Sequence, residues 1–341
     1  MPETSHHPSV GVIVLNHTRV ETLPEALQSI EAQDYEGEIN VYLVYREIPE
    51  MAGILSGLGP RVTAIPTSAM DPGGKRNVGL DRATEDLIAF IDDDDFWHPA
   101  KVRRQVDALV NSGAAACCTR YVSFTRVPFE WPTGESVAAV RPVSEREVAF
   151  SSTIAMSSSI CDGELLRNLR FTERAEWRGV DDLDLWLRVH EHGQIVCLEE
   201  RLTAIRIHHG SLGARGRITP ELRGLNVIAD RRREGKRGWV SAIGLARRTI
   251  DSAIARPGAD ADKDLDLLLM SYDGSLIGHR ADRMVVALVR ASWRSRAIVP
   301  ILRWIRRQEY RIRLALMPKP PMKFTDTTAR EGQWGRDRQA G

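Results

Sequence analysis

The stretch "LIAFIDDDDFWHPAK" at residues 87–101 decides the fold assignment, because an apolar run ends there in four consecutive aspartates. A short run rich in Leu, Ile and Phe is typical of a strand buried in a parallel sheet. The pattern that follows, through residue 113, predicts a helix with a proline near its start and a glycine at its end. The aspartates therefore lie at the carboxyl end of a strand, where open α/β sheets bind their ligands.

Strand and helix patterns alternate on both sides of this stretch. We predict strands at residues 10–15, 38–45, 61–67, 86–92 and 114–125. A helix with Thr22 as its N-cap follows the first strand, and a glycine turn leads into a helix at residues 71–84. This order predicts the α/β class, with a doubly wound, mostly parallel sheet flanked by helices.

The second half of the chain is predicted to continue this domain and then to become helical. Residues 125–159 contain three prolines and are expected to form loops or short strands. Residues 176–193 open with acids and become helical, and residues 194–211 indicate two short strands. We expect one domain at residues 1–213, divided at about residue 120 into two halves, of which the first starts at about residue 9. A helical C-terminal extension at 214–320 and a disordered tail at 321–341 are expected to follow.

Composition is that of an ordinary soluble protein of 341 residues with a formal net charge of +1. The four cysteines have no CxxC spacing, which argues against a disulfide framework or zinc site and favours a cytoplasmic setting. The N-terminus lacks a signal-peptide pattern, and no apolar run reaches the ~20 residues of a spanning helix.

The segment at residues 290–319 is basic, with nine Lys or Arg residues and one acid. It is open to two interpretations: a solvated helix face, or peripheral contact with the inner face of a membrane. No motif supports binding to nucleic acid.

The aspartates indicate a metal site. Mg²⁺ and Mn²⁺ prefer carboxylate oxygens and share their coordination shell with phosphates. If the strand continued, alternation would point Asp92 and Asp94 to one side and Asp93 and Asp95 to the other. The nearby glycine-rich turn carries Lys75, which suits an anionic ligand. The residues thus predict a divalent cation together with a phosphate-bearing molecule.

Residues 73–105 resemble the signature of family 2 glycosyltransferases of the GT-A fold. The family elements R-N-x-G, D-x-D-D and aromatic–proline–lysine are matched by Arg76, Asn77 and Gly79, by Asp92, Asp94 and Asp95, and by Trp97, Pro99 and Lys101. Residues 177–188 are similar to the family's acceptor-site motif E-D-x-D-x-W-x-x-R, with Asp181 in place of the glutamate. Residues 201–212 are similar to the R-x-H-x-x-S segment. The resemblance covers residues 9 to about 213, and it implies a nucleotide-sugar half at about 9–120 and an acceptor half at about 121–213.

The resemblance implies roles for individual residues. Asp92 would contact the donor's ribose or the metal, Asp94 would coordinate the metal, and His208 is a further candidate metal ligand. Asp182 would be the catalytic base, with Asp181 as the second candidate. The other donor-binding candidates are Asn16, Arg19, Lys75, Arg76, Asn77 and Asp93, and the secondary candidates are Asp95, Trp97 and Arg206.

The implied reaction is a single displacement with inversion at the anomeric carbon. Mn²⁺ or Mg²⁺ would stabilise the leaving nucleoside diphosphate, and a carboxylate would take the proton of the acceptor hydroxyl. The expected donor is a nucleoside-diphosphate sugar, with UDP the commonest in the family. The expected acceptor is a glycan, a glycolipid or a small molecule in polysaccharide, glycolipid or cell-envelope glycan synthesis.

Two departures from the family pattern leave alternatives open. Residues 15–19 read "LNHTR" where the family usually reads P-T-Y-N-R, and the second strand is followed by Arg46 and Glu47 in place of an aspartate. The nucleotide of the donor could therefore be UDP, dTDP or GDP. A nucleotidyltransferase on a similar sheet and a non-catalytic sugar-nucleotide-binding relative remain alternatives.

Several side chains have structural interpretations as well. Asp184 and Arg188 are spaced for an ion pair within one helix turn. Trp186 is expected in the core, and Trp97 is expected to pack inside the protein rather than stack on a ligand.

Overall fold

The computed structural model describes residues 7–125, 129–131, 139–145, 147–148, 154–174, 180–207 and 227. Its first half is a parallel sheet of four strands in the order β3-β2-β1-β4. The strands are β1 (Val10–Leu15), β2 (Ile39–Tyr45), β3 (Val62–Pro66) and β4 (Leu87–Asp92). In the register of β1 with β4, Leu15 lies beside Asp92, so the residues that follow β1 lie next to the aspartates.

Helices cover both faces of this half, as the doubly wound prediction requires. They are α1 (Leu23–Glu31), α2 (Met51–Ser56), α3 (Pro72–Leu80) and α4 (Lys101–Ser112). The predicted glycine stop after α4 is confirmed, because Gly113 has a left-handed φ of 63°. Gly79 lets α3 pack closely on the sheet, since a Cβ there would lie 2.7 Å from the Ile13 side chain.

The second half of the sheet is mixed. It contains β5 (Phe96–Trp97), β6 (Ala116–Phe124), β7 (Val140–Val143), β8 (Ser159–Asp162) and β9 (Ile195–Arg206). Strand β8 is antiparallel to both β4 and β6, β9 is parallel to β6, and β5 and β7 are antiparallel to β9. The α/β sheet flanked by helices is confirmed, and its antiparallel part lies in the half where the sequence patterns were weakest.

Within the described residues, several elements, including β5, differ from the sequence predictions. Residues 194–211 were expected to form two strands, but β9 is a single strand, because a register shift opposite Arg120 absorbs its polar middle. Helix α2 and a further helix, α5 (Gly163–Leu169), were not predicted. Helix α6 (Asp181–His192) carries the predicted acidic motif.

The structural interpretations within α6 are confirmed. Trp186 is buried in the main hydrophobic cluster. Arg188 Nε donates to Asp184 Oδ2 at 2.9 Å, and the same guanidinium donates to the carbonyls of Leu169 and Arg170 at the end of α5. This ion pair therefore joins α6 to α5.

Most of the predicted C-terminal extension lies outside the described residues. This holds for the basic segment at 290–319 and the tail at 321–341, and the exception is Val227, which packs against Val180. Among the helices that the structure describes, none has the length and hydropathy needed to cross a membrane.

Candidate active site

The four aspartates form a tight turn, which we call the aspartate turn (Asp92–Asp95). The N–H of Asp95 donates to the carbonyl of Asp92 at 3.2 Å, and strand geometry ends at Asp92. The predicted alternation of the carboxylates is therefore wrong beyond Asp92. A turn gives each carboxylate its own direction and its own partners.

Residues that follow β1 contact the middle of the aspartate turn. Asn16 is fully buried, and its Nδ2 donates to Asp93 Oδ2 at 2.8 Å. Arg19 donates to Asp94 Oδ2 at 2.6 Å. Lys75, from α3, donates to the carbonyl of Asn16 at 2.9 Å. Asp93 thus faces inward, and these predicted donor-binding residues form one group around the turn.

Arg76 connects the aspartate turn with the acidic start of α6. Its NH1 donates to Asp181 Oδ2 at 2.9 Å, and its NH2 lies 3.4 Å from Asp92 Oδ1. The side chain of Arg76 is only 6% exposed. Because Asp181 is the first residue of α6, this contact also brings the neighbouring Asp182 to the site.

Asn77, a predicted donor-binding residue, contacts the chain that follows α5. Its side-chain amide pairs with the backbone of Phe171, donating at 2.9 Å and accepting at 2.8 Å, and also donates to Glu173. These contacts hold the chain that follows α5 against α3. The observed arrangement gives Asn77 a structural task.

The secondary candidates lie on the inner side of the aspartate turn. Asp95 is buried, and its oxygens accept from the Ser157 hydroxyl at 2.6 Å and from the N–H of Arg206 at 3.0 Å. Trp97 is buried, as expected, and its Nε1 donates to the carbonyl of Ser157 at 2.7 Å. Sequence reasoning missed Ser157, because a serine within the run "SSTIAMSSS" carries no signal of its own.

Carboxylates outnumber cations here, and four of the carboxyl groups have raised pKa values, with loss of hydration as the largest cause. Burial, followed by the charge of Asp94, raises the pKa of Asp93 to about 7. Burial, followed by the charge of Asp181, raises the pKa of Asp182 to about 7. Burial also raises the pKa of Asp95. The pKa of Asp92 is raised because the surrounding protein reduces its hydration, although the side chain is partly exposed and Arg76 opposes the shift. A site with this excess of negative charge favours a bound cation.

The residues fit a metal that shares its ligands with a substrate. Across the parts of the chain that the structure describes, no three acidic, histidine or cysteine side chains form a complete metal cage. Mg²⁺ in nucleotide enzymes needs only one or two carboxylates in addition to substrate phosphates. The Asp92 side chain is 46% exposed, so it is open to such a ligand. His208, the third predicted ligand, lies outside the described residues.

Comparison with known proteins finds a family model that matches the first half of the described sheet and the aspartate turn. Residues 9–158 match the family model described as Glycosyl transferase family 2. The succinoglycan biosynthesis protein ExoW of Rhizobium meliloti (strain 1021) is 39% identical over 84 residues. That match covers 23% of this chain and 26% of ExoW, so the chain spans about a quarter of that relative's length.

Solved structures of TarS from S. aureus share the fold. The 1–349 fragment in complex with UDP-GlcNAc superimposes with a TM-score of 0.62 at 16% identity, covering 84% of this chain and 92% of that one. A second TarS structure gives a TM-score of 0.59 at 14% identity, covering 83% of this chain and 53% of that one. At these identities the likeness establishes the GT-A-type fold. The residues matched by the family model include β1, the R-N-x-G element, the aspartate turn and Ser157, so residues 9–158 of this chain are similar to the family 2 glycosyltransferases.

Proposed function

We propose that this protein is a glycosyltransferase that moves a sugar from a nucleoside-diphosphate sugar to an acceptor hydroxyl in a metal-dependent, inverting single displacement. The observation that carries the proposal is the position of Arg76 between Asp92 and Asp181. Arg76 contacts a candidate metal ligand, Asp92, on one side and Asp181, the neighbour of the candidate base Asp182, on the other. Donor activation and acceptor deprotonation can therefore occur at adjoining groups.

Asp92 and Asp94 would hold Mn²⁺ or Mg²⁺ against the diphosphate of the donor. When bound, the cation stabilises the negative charge that develops on the leaving nucleoside diphosphate. Arg19 already reaches Asp94, and Lys75 lies behind the turn against the backbone of Asn16. These cations lower the cost of keeping the carboxylates ionised close together.

Asp182 is the better candidate for the base. Asp181 is held by Arg76, and its side chain is only 7% exposed. Asp182 is half-buried, accepts from the N–H of Leu183, and receives no bond from any side chain among the residues described. Its pKa of about 7 suits a general base that works near neutral pH. A single base of this kind supports direct attack by the acceptor and inversion.

The comparisons support a donor and an acceptor class. TarS structures contain UDP-GlcNAc and UDP, which supports UDP as the nucleotide. ExoW is named for the biosynthesis of succinoglycan, which supports a polysaccharide or related envelope glycan as the acceptor. A cytoplasmic location at the inner face of the membrane fits such an acceptor, and the basic segment at 290–319 would supply the contact.

Nucleotide release from a panel of nucleotide sugars, with Mn²⁺ present and absent, tests the proposal. Asp94→Ala and Asp182→Asn should each lower the turnover of the wild type by at least about 100-fold. Only Asp94→Ala should raise the Mn²⁺ concentration needed for half-maximal rate. Asp107→Asn, an exposed acid on α4, is the matched control and should behave as wild type.

The outcomes separate the alternatives. Wild-type turnover in both active-site variants would contradict the assignment of Asp94 as a metal ligand and of Asp182 as the base. Pyrophosphate release from a nucleoside triphosphate would support a nucleotidyltransferase, and donor binding without turnover across the panel would support a non-catalytic relative. The anomeric configuration of the product, measured by NMR, tests inversion directly.

A further inference from the structure

A short 3₁₀ turn at Met156–Ser158 lies directly behind the aspartate turn, and Ser157 joins the two. Ser157 is buried, with 1% of its surface exposed. Its hydroxyl accepts from the N–H of Asp92 at 3.1 Å and donates to Asp95 Oδ2 at 2.6 Å. One hydroxyl therefore fixes the first and the last residue of the aspartate turn relative to each other.

Both carboxyl oxygens of Asp95 accept hydrogen bonds from buried or partly buried protein groups. Its second oxygen, Oδ1, accepts from the N–H of Arg206 at 3.0 Å, and the residue is only 4% exposed. The Nε of Arg206 also donates to the carbonyl of Asp94 at 3.1 Å. Bonds to both of its oxygens fix the orientation of the Asp95 carboxyl group. Asp95 thus ties the aspartate turn to Ser157 on one side and to the end of β9 on the other.

Ser157 is itself held in place from behind. Trp97 Nε1 donates to its carbonyl at 2.7 Å, and the Lys101 ammonium lies 3.9 Å from the centre of the Trp97 ring. Gln105 Nε2, on α4, donates to the carbonyl of the next residue, Ser158, at 3.1 Å. The backbone around Ser157 is therefore fixed by contacts with the core, independently of the aspartate turn.

We infer that Ser157 is a positioning residue that acts through Asp95 to set the spacing of Asp92 and Asp94 for a divalent cation. The inference rests on the proposed function, because it needs the cation at those two carboxylates. Residues that orient metal ligands by hydrogen bonds contribute substantially to affinity, and their loss typically weakens metal binding by about 10–100-fold. Ser157 has the contacts of such a residue without any exposure to substrate.

The role of Ser157 is tested by measuring the binding of Mn²⁺ alone to the full chain with electron paramagnetic resonance. Ser157→Ala should weaken Mn²⁺ binding by about 10–100-fold. Ser158→Ala is the matched control, because Ser158 is equally buried but its hydroxyl donates to the carbonyl of Ala155 within the same turn. Its Mn²⁺ affinity should stay within about threefold of wild type, because that bond does not reach the aspartates. At saturating Mn²⁺ the KM for the donor should be the same in both variants.

A double-mutant cycle without metal tests the Ser157–Asp95 link by itself. Urea unfolding of Ser157→Ala, Asp95→Asn and the double variant should show a coupling of at least about threefold in the unfolding equilibrium constant. Equal Mn²⁺ affinity in wild type and Ser157→Ala, or a coupling of zero, would overturn the inference and leave the proposed function intact. A wild-type chain that binds no Mn²⁺ would overturn the metal dependence in the proposed function and the role of Ser157 with it.

Discussion

Arg76 and Lys101 are both buried cations within residues 73–105, but Arg76 contacts carboxylates whereas Lys101 contacts an aromatic ring. Arg76 is 5% exposed and lies between the carboxylates of Asp92 and Asp181. Lys101 is fully buried under the ring of Trp97, and within the described part of the chain its ammonium has no hydrogen-bond acceptor. Burial lowers the pKa of Lys101 to about 7.

Arg76 contacts candidate site residues directly, whereas Lys101 acts on the site only through Trp97 and Ser157. A guanidinium offers a rigid fork that can bind two carboxylates at once, whereas an ammonium is a compact charge that loses its proton readily when buried. The Arg76 fork joins the donor side and the acceptor side of the site. Lys101 contacts an indole, and that indole holds Ser157.

Removing the charge between the carboxylates should have the largest effect. Arg76→Met leaves Asp92 and Asp181 without their shared cation. We expect a loss of about 3 kcal/mol in the free energy of unfolding at neutral pH and a loss of more than about 100-fold in turnover. Urea unfolding and nucleotide release measure the two effects. Wild-type stability in this variant would show that the bridge is not energetically significant.

Arg188 provides a purely structural counterpart to Arg76. Arg188→Met breaks the pair with Asp184 and two bonds to carbonyls at the end of α5. We expect a loss of about 2–3 kcal/mol in stability, because buried acceptors are left without donors. Turnover per folded molecule should stay within about threefold of wild type. A loss as large as that of Arg76→Met would place this pair in the catalytic machinery.

Lys101→Met should act in the opposite direction. The change removes a buried ammonium without an acceptor, so we expect a gain of about 2 kcal/mol in stability at pH 7, less the lost contact with Trp97. The pKa of Lys101 is about 7 in the folded chain and near its ordinary 10.5 in the unfolded one. Between these values the unfolded wild type binds more protons, so wild-type stability rises with pH relative to the variant.

The pH dependence of this stability difference tests the protonation of Lys101 more directly than the difference at pH 7 alone. From pH 7 to 9 the stability gap between variant and wild type should narrow by at most about 1.4 kcal/mol per unit. Titration of the nearby Cys117 and Cys118 is common to both chains and cancels in the difference. A gap that is constant over this range would mean that the Lys101 ammonium stays charged.

The smallest effect is expected at an exposed ion pair. Arg103 donates to Asp34 at 2.9 Å, and both side chains are about two-fifths exposed. Arg103→Met should change the free energy of unfolding by less than about 1 kcal/mol, because solvent screens the pair. Thermal unfolding and turnover indistinguishable from wild type are the expected results. A larger loss of stability would contradict the ranking of these cations by burial.

The strand–helix order of the first 120 residues and the place of the aspartates at a strand end can be predicted from the amino-acid sequence. These features depend on local patterns, namely apolar runs, caps and glycine stops, which neighbouring residues encode. The candidate residues that come together at the site, from Asn16 and Arg19 to Asp182, were also named from motif matches. Their assigned roles stay predictions, which the experiments above address.

The contacts between side chains from distant segments could not be predicted from the sequence. The alternation predicted for the aspartates ended at Asp92 because the chain turns there, and no local pattern marked that turn. The Arg76–Asp181 bridge and the Ser157–Asp95 bond join segments far apart in the chain. Such contacts arise when a sheet and its helices pack, and a serine or an arginine looks the same in the sequence whether it makes them or not.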